Sequence, residues 1–192
     1  MADVVQDVVQ DLIQLTGYTE KDAAVLRQYA AHTAPWEEAI TQAFYDMLYG
    51  YGRTAAVFRD GERPAREQTL RHWYRVVSGG QIDDQFWRWQ WFVGLIHIPR
   101  HVTNPFMLGA MSRVQQIFLS QCLATLPVDE AANLFTSFKR VTDVIAGLIA
   151  EGYFESYIRA MERMSGQSRT LIDRMVQMEV ESMVEESRPA KK

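Results

Sequence analysis

Apolar residues recur at intervals of three and four along almost the whole chain, and strand-like alternation is nearly absent. The pattern predicts an all-α protein of amphipathic helices joined by short connections. A first helix is expected from about Asp3 to Leu15, closed at Thr16-Gly17. A second starts near Thr19, where Thr19 and Asp22 resemble a shortened capping box, with Leu26 and Tyr29 on its apolar side. Pro35 opens a third, in which Trp36, Ile40, Phe44 and Met47 or Leu48 fall at helical spacing before Gly50 to Gly52. A less regular stretch holding Val57 and Phe58 leads through the Asp60-Gly61 turn and Pro64 into a fourth helix. That helix carries Arg66, Thr69 or Leu70, Trp73 and Val77 along one side and ends at Gly79-Gly80.

Asp83 and Asp84 favour the next helix start through capping and dipole effects, and Phe86, Trp89, Val93 and His97 follow on one predicted face. Pro99 kinks or ends that helix within a turn of His97. Asn104-Pro105 begins another, running to about Leu126 with Phe106, Ala110, Met111, Val114, Ile117 and Phe118 as its stripe, broken by Pro127. From Asp129 to near Met164 the inward positions are Leu134, Phe138, Val141, Ile145, Leu148 and Gly152, and Ser165-Gly166 interrupts the run. A last helix over Arg169 to Val184 carries Leu171, Met175 and Met178 at coiled-coil-like spacing, too short for a firm coiled coil. Arg188 to Lys192 reads as a flexible, solvated end.

Composition narrows the function. The chain has 192 residues, 47% of them hydrophobic and 23% charged, which suits one ordinary globular domain and argues against extended disorder. A net charge of -4 argues against a nucleic-acid binder, which needs a basic face to displace counterions from phosphates. Cys122 is the sole cysteine, so no internal disulfide, zinc ribbon or iron–sulfur cluster is available, and a reducing, cytoplasmic setting is the simpler expectation. The first residues lack the basic and apolar regions of a signal peptide, and no apolar run approaches the roughly 18 to 20 residues of a membrane span. No phosphate loop, long repeat or low-complexity linker appears.

Taken alone, a histidine continuing an apolar stripe is more often a core residue than a ligand. The order of elements around His97 changes that weighting. The Phe44-Tyr45 pair, a helix with Thr69 and Trp73, the Gly79-Gly80 break, Gly94-Leu-Ile-His97 and the following Asn104-Pro105-Phe-Met-Leu-Gly-Ala110 together resemble the sensor-globin and protoglobin families. The resemblance spans roughly Thr19 to Tyr157 and includes the domains of globin-coupled sensors. It implies a globin fold with an extra N-terminal helix and a helical C-terminal extension, divided as residues 1–165 and 166–192.

The resemblance also implies a cofactor, haem b (iron protoporphyrin IX), with His97 as the iron's axial ligand; that role needs a neutral imidazole on an apolar helix face. Tyr45 is implied on the opposite side, donating a hydrogen bond to a gas ligand, and Thr69 beside it. A core tyrosine and a threonine bonded to its own helix are the plain alternatives. Phe58, Leu70, Trp73, Val93, Leu95, Met107, Met111 and Leu148 are the candidate porphyrin-lining residues, ordinary core packing being the alternative for each. One departure stands out: the family frequently has Trp-Tyr where this chain has Phe106-Met107, and methionine is only a weak acceptor. Any hydrogen bond to the His97 ring must then come from elsewhere.

His101 follows His97 by four residues, a spacing that suits zinc, but Pro99 spoils the helix and no further ligands complete a motif. Arg100 and His101 are better viewed as partners for haem propionates; His72 and His32 are most simply surface or boundary residues, with iron ligation the alternative for His72. The implied function is binding of a diatomic gas, oxygen foremost with carbon monoxide and nitric oxide as others, in a gas or redox sensor without a catalytic output domain. A homodimer through the last two long helices and a separate signalling protein are the implied partners. Redox chemistry on the bound gas, or a haem-free signalling module, are the alternatives.

Overall fold

The computed structural model describes residues 2–187; the solvated end expected over Arg188 to Lys192 lies outside the described residues. Within them the protein is helical with no strand. The helices are α1 (Ala2–Thr16), α2 (Glu20–Thr33), α3 (Glu37–Gly50), α4 (Gly52–Ala55), α5 (Arg63–Ser78), α6 (Asp84–His97), α7 (Asn104–Thr125), α8 (Val128–Ser165) and α9 (Arg169–Glu186). A single 3-10 turn, Ala34–Trp36, carries Pro35 into α3.

Local chemistry sets most of these boundaries. The Asp22 carboxylate accepts from the Thr19 amide at 2.8 Å and from its hydroxyl at 3.1 Å, fixing the start of α2. The same buried carboxylate accepts from Ser137 at 3.0 Å and Arg140 at 3.1 Å, which ties α2 to α8. Asp83 accepts from the Phe86 amide at 2.7 Å at the N-terminus of α6; such a cap contributes about 0.5 to 2 kcal/mol. The short helix α4 departs from the irregular segment expected there. Thr54 organises it, its hydroxyl donating to the carbonyls of Leu48 and Tyr51 at 2.6 and 2.9 Å.

The core follows the stripes. Leu134, Phe138, Val141, Ile145 and Leu148 of α8 are fully buried, and Phe138 stacks on Phe118 of α7 with ring centroids 3.7 Å apart. Tyr74 of α5 is buried with its hydroxyl donating to the Thr33 carbonyl at 2.9 Å. Helix α3 packs on α5 and α7, and α2 on α5. No helix among the described residues is long and apolar enough to cross a membrane.

The chain divides into two units, one through Tyr153 and one from Phe154; the expected division lay later, after residue 165. The second unit holds the last turns of α8 and α9, joined through Gly166 at φ +70°, which glycine adopts without a Cβ penalty. Arg169 forks onto Glu155 at 2.8 and 2.9 Å and reaches Asp173, an arrangement that holds the Glu155 carboxyl below its ordinary range. Leu171, Met175 and Met178 on α9 are exposed.

Candidate functional site

The first unit holds an open cavity of about 1140 Å³, walled by α3, α5, α6, α7 and the segment around α4. Its lining is dominated by apolar and aromatic side chains, and its size lies just above the range of ordinary small-ligand sites. One wall is the α6 stripe. Phe86, Trp89, Val93 and His97 all line the cavity, with Trp89 at its solvent-exposed side. The opposite side is built by Phe44, Tyr45 and Leu48 of α3 with Leu70, Trp73 and Val76 of α5, and Val57 and Phe58 close it near α4.

His97 is half-buried on the cavity wall, and no group among the described residues hydrogen-bonds its ring. Burial pushes its pKa down to about 4, and the nearby Arg100 charge adds to the shift. At neutral pH the ring is therefore uncharged and has a nitrogen lone pair to offer. A group of three His, Cys, Asp or Glu able to hold a bare metal ion is absent among the described residues. A lone imidazole on an apolar wall suits a metal that brings its other ligands with it, as the iron of a porphyrin does. Cavity size, apolar walls and a neutral, unpartnered imidazole fit that group.

Tyr45 is buried at 6% exposure, between Phe44 and Phe58 in edge-on contacts at 5.1 and 6.0 Å. Tyr45 lines the cavity, and its hydroxyl donates to the Arg66 carbonyl at 2.8 Å. Burial raises its pKa far above the ordinary range, so it stays a phenol. Thr69 lines the mouth, is exposed, and donates to the Ala65 carbonyl one turn back at 3.0 Å. Met107 and Met111 of α7 line the cavity, Met107 being buried at 6% exposure.

Two expected lining residues are elsewhere. Leu95 is 42% exposed and Leu148 is fully buried in the helical core, and neither borders the cavity. The reason is rotational: neighbouring helical residues differ by about 100°, so Val93, Ile96 and His97 share the cavity face while Leu95 turns away. On α8 it is Ile149, one residue on from Leu148, that reaches the lining.

His101 is exposed, in a left-handed turn at φ +56°, and outside the cavity lining, so it joins no metal group with His97. Arg100 does line the cavity, with its guanidinium held by Glu62 at 2.7 Å. His72 lines the cavity from an exposed position. Sequence reasoning missed Gln90, which is 1% exposed, lines the cavity, and has only a long 3.5 Å contact from its amide to the Phe86 carbonyl. Its signal was a polar residue two turns before His97 on the same face.

An all-helical body with a large, mainly apolar cavity and the His97 imidazole on its wall has the architecture of a globin. The comparisons agree. The fold matches the globin domain of a Geobacter sulfurreducens globin-coupled sensor with a TM-score of 0.69 and 21% identity, covering 75% of this chain and 96% of that one. No curated protein matches the sequence significantly. The family profile described as Protoglobin matches residues 6–159, and the chain belongs to that family. The family implies haem binding.

Proposed function

We propose that this chain is a haem-binding gas sensor in which His97 supplies the axial imidazole and a diatomic gas, oxygen foremost, is the signal. The observation that carries the reading is the His97 ring: neutral, aimed at the cavity, and without a hydrogen bond among the described residues. When bound, haem b supplies an iron centre that takes up oxygen, carbon monoxide or nitric oxide.

The residues divide the remaining work. Val93, Phe86, Trp73, Leu70, Phe58, Met107 and Met111 offer the flat apolar walls a porphyrin requires and keep water away from its faces. Arg100 and Arg66 are the cations on the lining nearest Glu62 and suit acidic haem substituents. Tyr45 holds a phenolic proton on the α3 side and, on this reading, turns it from the Arg66 carbonyl toward the gas. Thr69 gives secondary support in the same way. Relay to a separate signalling protein, a homodimer through the last two long helices, and a cytoplasmic setting complete the proposal.

The test is the absorption spectrum of the purified chain with added haemin, reduced under argon and then exposed in turn to oxygen and carbon monoxide. A Soret band that shifts with each gas is expected. A chain that takes up no haemin would be a haem-free signalling module, with His97 a core residue.

A further inference from the structure

Helices α6 and α8 meet backbone against backbone. A Cβ on Gly94 would lie 2.3 Å from the Ile149 carbonyl oxygen and 2.5 Å from the Tyr153 nitrogen. A Cβ on Gly152 would lie 2.3 Å from the Trp91 carbonyl oxygen. Ordinary contact for such a carbon starts near 3.4 Å, so a methyl group at either position forces the helices apart by about 1 Å. The clashing atoms are main chain on both sides, and nothing can rotate out of the way. Two other glycines provide contrast. A Cβ on Gly147, also in α8, meets only the end of the Leu12 side chain at 2.5 Å, and one on Gly109 of α7 meets nothing within 4 Å.

This contact lies one turn from His97, about 4.5 Å along the helix axis. Beyond His97 the helix stops in a turn, where the Ile98 amide donates to the Leu95 carbonyl at 3.3 Å, the His101 amide to the Ile98 carbonyl at 3.1 Å and the Val102 amide to the His97 carbonyl at 3.0 Å. Among the described residues no hydrogen bond holds the ring itself. The depth of the imidazole in the cavity therefore follows the position of the α6 backbone. The tightest fixed point on that backbone is the crossing with α8, where Ile149 reaches the same cavity.

We infer that the Gly94–Gly152 contact is the positioning element that sets how far the His97 imidazole reaches into the cavity, and with it the strength of its bond to the haem iron. The inference rests on the axial role of His97 proposed above. Gly94 and Gly152 act through His97 and touch no ligand themselves.

The experiment compares Gly152→Ala and Gly94→Ala with Gly147→Ala and Gly109→Ala, all loaded with haemin, by the iron–imidazole stretching band of the reduced protein and the rate of haemin loss. Wild type is measured first; if its spectrum lacks an imidazole-ligated iron, the axial role fails and this inference falls with it. Given a normal wild type, Gly152→Ala and Gly94→Ala should shift the band and release haemin on the order of tenfold faster or more, since a ligand site tolerates about 0.5 Å of misplacement. Gly147→Ala should lose stability without moving the band, and Gly109→Ala should resemble wild type. A folded Gly152→Ala with an unshifted band, or a Gly147→Ala that shifts it equally, overturns the positioning role while leaving the axial role intact. Should neither crossing variant fold, amide exchange on wild type decides: haemin must protect residues 149–153 together with 94–97, and unchanged protection at 149–153 contradicts the inference.

Discussion

On the α6 wall of the cavity the His97 ring has no hydrogen bond among the described residues, whereas on the α3 and α5 walls Tyr45 and Thr69 already donate their protons to the carbonyls of Arg66 and Ala65. One wall holds a lone pair ready for a cofactor. The other holds hydroxyls that must break an existing bond before they reach a ligand. A new hydrogen bond from Tyr45 is therefore an exchange, and its net worth is the difference between two bonds of similar strength. Binding is expected to depend steeply on α6 and tuning only weakly on α3 and α5.

The largest effect should come from His97→Ala, which removes the one ready ligand and should weaken haemin binding by at least about a hundredfold, the upper range for altering a metal's surroundings. Haemin transfer to a competing apo-globin measures it; retention equal to wild type would remove the contrast between the walls. Tyr45→Phe should leave haemin uptake intact, cost about 1 kcal/mol of unfolding free energy by freeing the Arg66 carbonyl, and change oxygen dissociation by less than tenfold. Flash photolysis in oxygen checks the last point, and a change of a hundredfold or more would show that the Arg66 bond is given up completely on gas binding.

The elements were legible because each boundary has a local cause. Asp83 caps α6, Pro99 follows its end, Pro105 opens α7, and every inward residue expected on α8 from Leu134 to Leu148 is buried. Helix α4 was not, since its organising bonds from Thr54 run back to carbonyls whose placement depends on the chain already having turned. The site was legible where one helix face decides it, as with Phe86, Trp89, Val93 and His97. It was misjudged at Leu95 and Leu148, where apolar character alone does not tell cavity from core or surface. The Gly94–Gly152 approach was hidden for another reason: it depends on two positions far apart in sequence that meet only in the folded chain.

A smaller effect concerns the link between the walls. Glu62 accepts from Arg100, beyond the end of α6, and pairs with Arg66 of α5. The Arg100 hydrogen bond, followed by the Arg59 amide, holds the Glu62 carboxyl down to about 2. Because the folded pKa is depressed, the unfolded chain binds more protons at acid pH; the stabilisation is complete above the ordinary carboxylate range and is lost as pH falls toward 2. Glu62→Gln should cost at most about 1 kcal/mol near neutrality, as for a partly exposed ion pair. The gap to wild type should narrow in urea unfolding between about pH 6 and about pH 3, and a constant gap would show that the charge contributes nothing. Smallest of all, Thr69→Val should change oxygen dissociation by less than about twofold, because its hydroxyl serves its own helix. A larger change would place that hydroxyl in direct contact with the gas.

The central claim, that His97 holds the iron, is tested most directly by titrating haem-loaded His97→Gly with free imidazole. The variant should lose the wild-type ferrous spectrum, and imidazole, entering the space the side chain left, should restore it. A wild-type spectrum in His97→Gly before any imidazole is added would contradict the claim and assign the iron to another ligand, with His72 on the cavity wall the first to examine.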